Sequence, residues 1–218
     1  MLSITLLLAT YGPQQPIPLT QHNLPESPAP VFTRVERIGD NSRAFFLIAS
    51  AGRNYTIRSD GYGEIETPKT LRRKFQLPLG LPGRLSRLYY AEYENDLLFI
   101  YEVTNGEYGW GFVERFDPNK QAAKWRKPLK GFNLGPALIE SHYAYLSAFF
   151  VLAKIDLTSG AFVWQQEEFK REYAPMVEFF LPSLREERVI FPVDERVIEV
   201  DKNNGRVLAI HDEQTPST

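Results

Sequence analysis

From residue 88 onward, short apolar runs alternate with polar clusters of Asn, Asp, Gly and Ser. Four such runs are Leu88 to Tyr93, Leu97 to Val103, Gly109 to Phe116 and Ala122 to Leu129. A second set is Ala137 to Glu140, Tyr143 to Ser147, Phe150 to Asp156 and Ala161 to Gln166. A third is Phe179 to Leu184, Val189 to Val193, Val197 to Asp201 and Arg206 to Ile210. Each has the length of a strand, and no segment carries a helical period. Asn105-Gly106 is the strongest hairpin signal in the chain, because both residues accept positive φ.

Upstream the pattern is less even. Val31 to Ile38, Ala44 to Ala49 and Tyr55 to Arg58 read as strands, with turns at Gly39-Asp40-Asn41-Ser42 and Ser59 to Gly63. Thr67 to Arg87 is basic and punctuated by Pro and Gly, and reads as a long connection. Gly12 to Pro30 holds six prolines, which cannot donate to a ladder, so it reads as a linker or a surface strap. Ile4 to Ala9 has the length of a buried strand, while Met1 to Thr10 also reads as a weak signal remnant lacking Lys or Arg. Both readings stay open. The organisation expected is an N-terminal segment 1–30, one domain over 31–212 and a disordered tail over 213–218.

A three-part echo overlies the strands. Asp117, Asp156 and Asp201 each end an apolar run, open a short polar turn and precede another apolar run. They lie 39 and 45 residues apart, a spacing typical of one blade per repeat. The expected fold is therefore all-β, a small β-propeller of four-stranded antiparallel blades. Four modules are recognisable, and a fifth blade or an incomplete ring is left open. Each Asp can accept bonds from backbone N–H groups two or three residues on. Gly160 and Gly205 supply positive φ in these turns, and Gln121 stands at the matching place in the first of them.

These residues resemble the PQQ-like propeller repeat of quinoprotein dehydrogenases and their non-enzymatic relatives. The best match runs from Gly135-Pro136-Ala137 through Tyr143-Ala144-Tyr145-Leu146 and Lys154-Ile155-Asp156-Leu157-Thr158-Ser159-Gly160 to Val163-Trp164. Leu88 to Trp125 repeats it with Gln121 for Gly, Leu181 to Leu208 repeats it without the Trp, and Arg43 to Gly63 is a weak copy. The resemblance implies that Trp125 and Trp164 pack between neighbouring blades. It speaks for fold and is silent about chemistry.

Composition narrows the chemistry. There is no Cys, so disulfides, thiol catalysis and thiolate metal sites are excluded. A formal net charge of −2 gives no general pull toward nucleic acid or anionic lipid, so no nucleic-acid partner is expected. No apolar run approaches the ~20 residues of a membrane-spanning helix. His22, His142 and His211 are too scattered to suggest a shared metal. Asp201, Asn203 and Asn204 only superficially resemble a calcium loop, because Gly205 falls one place early. Neither a metal nor a cofactor is expected.

Two stretches stand out as candidate partner contacts. Arg72, Arg73 and Lys74, with Arg84 and Arg87, form a basic cluster that reads either as a solvated loop or as a contact for an acidic protein. Tyr108 and Trp110 alternate with glycines. They read either as a sticky exposed hairpin or, as the favoured alternative, with Trp110 and Phe112 turned inward as core. The function expected is a non-catalytic binding or scaffold module for a protein partner, with a place in the bacterial envelope as one setting. The alternative is a small quinoprotein-like enzyme. Periplasmic, secreted and cytoplasmic placements all remain open.

Overall fold

Strand-forming runs separated by tight turns can bury their apolar faces only by stacking sheet on sheet, and this chain does so with four sheets. The computed structural model describes residues 31–40, 44–68, 70–80, 83–167, 178–194 and 196–212. The readings made for Ile4 to Ala9, for the proline-rich segment, for His22, Asn41 and Ser42, and for the tail lie outside the described residues. No helix occurs among the described residues, and none is long and apolar enough to cross a membrane.

Two short strands come first, β1 (Thr33–Arg34) and β2 (Arg37–Ile38). Blade 1 follows as β3 (Phe45–Ser50), β4 (Arg53–Arg58), β5 (Tyr62–Thr67) and β6 (Thr70–Gln76). Blade 2 is β7 (Arg84–Tyr93), β8 (Asp96–Thr104), β9 (Gly109–Asp117) and β10 (Ala122–Leu129). Blade 3 is β11 (Leu138–Glu140), β12 (Tyr143–Ala148), β13 (Val151–Asp156) and β14 (Phe162–Gln166). Blade 4 is β15 (Ser183–Arg185), β16 (Arg188–Val193), β17 (Arg196–Asp201) and β18 (Val207–Asp212). All are antiparallel meanders, the arrangement of a small propeller.

Two features depart from the sequence reading. Val31 to Ile38 is not one strand: Val31 bridges Leu138 of blade 3, β1 pairs with β7 of blade 2, and β2 pairs with β3 of blade 1. The run thus crosses the first strands of three blades in turn, and two sheets have five strands rather than four. The second departure is that Thr67 to Arg87 is not a connection throughout. It contains β6, the outer strand of blade 1. Its dense Arg and Lys hide the strand, because Arg72, Arg73 and Lys74 are all exposed and only from Lys74 on do exposed and buried positions alternate, with Phe75 and Leu77 buried and Gln76 exposed.

Three cores fill the spaces between the four blades. Phe46, Ile57 and Ile65 of blade 1 meet Leu97, Phe99 and Phe116 of blade 2. Leu98, Ile100 and Val113 of blade 2 meet Ala144, Leu146 and Ala153 of blade 3. Tyr145 and Leu152 of blade 3 meet Val189, Phe191, Ile198 and Val200 of blade 4. None of these clusters joins blade 4 to blade 1.

The three Asp end the third strands of blades 2, 3 and 4. Asp117 Oδ1 accepts from Asn119 N and Lys120 N, Asp156 Oδ1 from Thr158 N and Ser159 N, and Asp201 Oδ1 from Asn203 N and Asn204 N. The turns face the tryptophans. Trp125 of blade 2 donates from Nε1 to Leu157 O, 3.1 Å away in the turn of blade 3. Trp164 of blade 3 donates to Lys202 O of blade 4 at 3.1 Å. Each indole lies so close to the turn glycine that a Cβ on Gly160 or Gly205 would come within 2.6 or 2.7 Å of the ring. Gln121 shares the positive φ, at 54°, of Gly160 at 70° and Gly205 at 77°. Of the three indoles, Trp125 and Trp164 lie on Gly160 and Gly205, and Trp110 stands at the far end of β9 from Gln121. Two arginines of blade 1 reach the Gln121 turn instead: Arg53 donates to Asn119 Oδ1 at 2.7 Å and Arg73 to Asn119 O at 3.4 Å. A side chain is tolerated there at the cost of the left-handed backbone.

Trp164 is 7% exposed, so Trp164→Ala should destabilise the fold by roughly 3–5 kcal/mol in denaturant unfolding. An unchanged midpoint would contradict its anchoring role. Gln121→Gly should stabilise by about 0.5–1 kcal/mol, since it relieves the left-handed strain and opens no cavity. A loss of stability would show that the Gln121 side chain matters more than its backbone.

Candidate functional site

The meander gives the array two unlike ends. One carries the first hairpin of every blade and the Asp turns. The other carries the second hairpins and the connections between blades, and is called here the connection end. Blade faces are buried against neighbours, so partners meet propellers at such ends.

At the connection end, the blade 2 hairpin is built by Asn105 and Gly106. Asn105 Oδ1 accepts from Glu107 N at 3.0 Å and Tyr108 N at 2.7 Å, while Asn105 N donates to Tyr108 O at 3.1 Å. Thr104 Oγ1 accepts from Gly106 N and donates to Tyr108 O, both at 3.0 Å. Gly106 has φ 96°. This bonding fixes the hairpin and leaves Tyr108 61% exposed and Trp110 40% exposed. The favoured inward reading of Trp110 is therefore corrected. Trp110 sits opposite the buried Val103 near the strand end, and its ring is left partly in solvent. Phe112, two residues deeper, is half-buried against Tyr101 and the Arg126 guanidinium.

Other aromatic residues share this end. Gly109 lies against Phe132, and Phe132 packs on Phe149 and Phe150, with ring centroids 5.2 and 6.0 Å apart. Phe150 holds a left-handed φ of 85° and stays 38% exposed. Phe180 and Leu181, in the connection to blade 4, are exposed as well. Sequence reasoning passed over Phe150 and Phe180. Their signal was an aromatic residue next to a turn rather than within a strand.

The structure disperses the basic cluster. Arg72 projects from β6 beside Glu64 and Glu66, at 3.5 and 3.8 Å. Lys74 is exposed on the same strand. Arg73 turns the other way, toward Asn119. Arg87 bonds Leu134 O at 2.6 Å and Asn133 Oδ1 at 3.2 Å, tying blade 2 to the next connection. Arg84 lies at the connection end, far along the chain fold from Arg72 to Lys74. A contiguous basic loop therefore does not form, because β6 alternates its cations between two faces.

A buried polar cluster lies deeper in blade 2. Glu114 is 1% exposed, accepts from Tyr101 Oη at 3.0 Å and lies 4.0 Å from Arg126 Nε. Burial pushes its carboxyl up to about 7, against the opposing effects of the Tyr101 bond and the Arg126 charge. Burial likewise raises the Tyr101 hydroxyl. No sequence motif marks this cluster, since an acid within an apolar strand is visible only once its neighbours are known. Among the described residues no group of three or more acids and histidines is placed to hold a metal ion.

No family model matches the chain, and no curated protein matches it. Solved structures do. Quinohemoprotein alcohol dehydrogenase from Comamonas testosteroni is similar at 14% identity, over 56% of this chain and 20% of that one, with a TM-score of 0.44. BamB from Moraxella catarrhalis is similar at 13% identity, over 82% of this chain and 61% of that one, with a TM-score of 0.48. The computationally designed Ika8 protein is similar at 11% identity, over 83% and 61%, with a TM-score of 0.50. The chain spans less than two thirds of the length of each. At such identities the likeness concerns fold alone.

Glu114 gives this region a pH signature. Its folded value lies above the 4.5 of the free side chain, so the folded chain keeps a proton that the unfolded chain has lost. The stability this provides is fully present below that lower value and is lost as pH rises through about 7. Glu114→Gln cannot ionise and keeps an acceptor for Tyr101. Relative to wild type it should gain up to about 3 kcal/mol between acidic and mildly alkaline pH, at ~1.4 kcal/mol per unit of pKa shift. Parallel stability curves would show that Glu114 titrates alike in the folded and unfolded chain.

Proposed function

We propose that this chain is a non-catalytic propeller that binds a protein partner at its connection end. The observation carrying this reading is the hairpin of Tyr108 and Trp110, which is fixed by five hydrogen bonds at its base yet leaves both rings in solvent. Rigid, amphipathic rings lose little entropy on contact and dominate the energetics of protein interfaces. Phe150, Phe180 and Leu181 extend an apolar arc over blades 3 and 4 at the same end. Arg72 and Lys74 lie on the outer strand of blade 1, where they steer an acidic partner without forming the anchor.

The test is the Tyr108→Ala/Trp110→Ala variant, with its fold checked by circular dichroism. A partner captured from the native host by the wild-type chain should bind this variant at least ~10-fold more weakly, the loss expected for truncated aromatic anchors. Full affinity in a folded variant would place the interface elsewhere.

A further inference from the structure

Trp110, Phe112, Glu114 and Phe116 stand in a row on the face of β9 that turns toward blade 1. Glu114 lies directly opposite Arg126 of β10 in the ladder, a register at which an acid and a guanidinium ordinarily pair. Arg126 leans instead toward the connection end. Its Cζ lies 3.7 Å from the centre of the Phe112 ring, and its Nε stays 4.0 Å from Glu114 Oε2. Its Nε and Nη2 are buried and have no hydrogen-bond partner. Buried donors left unbonded are costly and call for an explanation. A protonated neighbour supplies one, because a neutral Glu114 exerts little pull and the guanidinium rests on the face of the ring. We propose that Glu114 and Arg126 form a proton-operated switch for the aromatic hairpin: when Glu114 ionises, Arg126 leaves Phe112 to pair with the carboxylate, and Trp110 folds down onto the freed Phe112 ring.

The surroundings suit this exchange. Glu114 is buried, and burial holds its proton until about 7. The polar groups that face it are Tyr101 of β8, which donates to Oε2 at 3.0 Å, and Arg126 of β10. Blade 1 turns Ile65, Phe75 and Leu77 into the shared core, and the β6 cation Arg73 is engaged at Asn119 O. Arg115, next to Glu114 on β9, points to the opposite face and is held by Glu94 and Asp96. One carboxyl and one guanidinium therefore decide the state of the cluster. As the proton leaves to water, the carboxylate gains the charge that a guanidinium fork matches, and the orphaned nitrogens of Arg126 gain an acceptor. Phe112 carries the change outward, since its ring meets Arg126 and Trp110 stands next beyond it in the row. A withdrawn Trp110 offers less ring to a partner, so binding weakens as pH rises through about 7.

The consequence for binding rests on reading the hairpin as the partner contact, and the experiment separates the two claims. The full chain is labelled with 5-fluorotryptophan, and its three indoles, assigned by single substitutions, are followed by fluorine NMR from mildly acidic to mildly alkaline pH. In wild type the Trp110 signal should shift with a midpoint of about 7 and lose much of its solvent isotope shift on the alkaline side, while the Trp164 signal stays in place. Glu114→Gln, folded by circular dichroism, should keep Trp110 exposed at every pH. Phe112→Leu should leave the Glu114 carboxyl titrating, as seen by carbon NMR, with Trp110 no longer responding. The partner captured by the wild-type chain should bind it at least ~3-fold more weakly on the alkaline side, and should bind Glu114→Gln alike on both. A Trp110 signal that does not titrate, or that titrates equally in Glu114→Gln or Phe112→Leu, would overturn the switch. A working switch with partner affinity unchanged would uphold the switch and remove the hairpin from the interface.

Discussion

An indole lying flat on a glycine is the contact through which blades 2, 3 and 4 become one body. The turn that presents the glycine is preformed by its Asp, whose carboxylate gathers two backbone N–H groups. Those bonds hold the Asp156 and Asp201 carboxyls below the usual carboxylate range. The turn then offers its next carbonyl outward. Leu157 O receives both Trp125 Nε1 and Arg115 Nη1, and Lys202 O receives both Trp164 Nε1 and Lys154 Nζ. Arg115 and Lys154 sit directly across the sheet from their tryptophans, so each blade reaches its neighbour with an aromatic ring and a buried cation together. Arg115 is balanced by Asp96 at 2.5 Å, and Lys154 Nζ lies 4.2 Å from the centre of the Tyr143 ring.

This constraint accounts for which repeats are regular and which are not. Blade 4 carries Ala209 across from Glu199, in the places where blades 2 and 3 have a tryptophan across from a cation. The turn of blade 2 meets Arg53 and Arg73 instead of an indole and carries Gln121 instead of glycine. Glycine is thus demanded by the ring above it as much as by the backbone beneath it. The two indole contacts fix the spacing of blades 2, 3 and 4, and with it how far apart their second hairpins stand at the connection end.

The regular part of the fold was legible in the sequence because strand period, turn chemistry and Trp spacing agree from Leu88 to Ile210. Blade 1 was harder to read. Its third turn, between Thr67 and Thr70, lacks the Asp signal, and the charges of β6 resemble those of a loop. The split of Val31 to Ile38 among three sheets depends on tertiary geometry that no local pattern encodes. The buried cations could have been found, since Arg115 and Lys154 each stand two residues before a repeat Asp, the place that Glu199 takes in blade 4. The candidate site was legible in part. Gly spacing flagged Tyr108 and Trp110, but the exposure of Trp110 follows from its place at a strand end.

The central claim is that indole and glycine act as one unit, and it is tested most directly by the cost of Gly160→Ala in two backgrounds. In the wild-type chain the new Cβ meets the Trp125 ring, so denaturant unfolding should show a loss of several kcal/mol, in the range of an overpacked core. In a Trp125→Ala background the clash is gone, and only the left-handed backbone remains to be opposed, at about 1 kcal/mol. An equal cost in both backgrounds would mean that the turn glycine answers to its own backbone alone and that the blades are held together by something else.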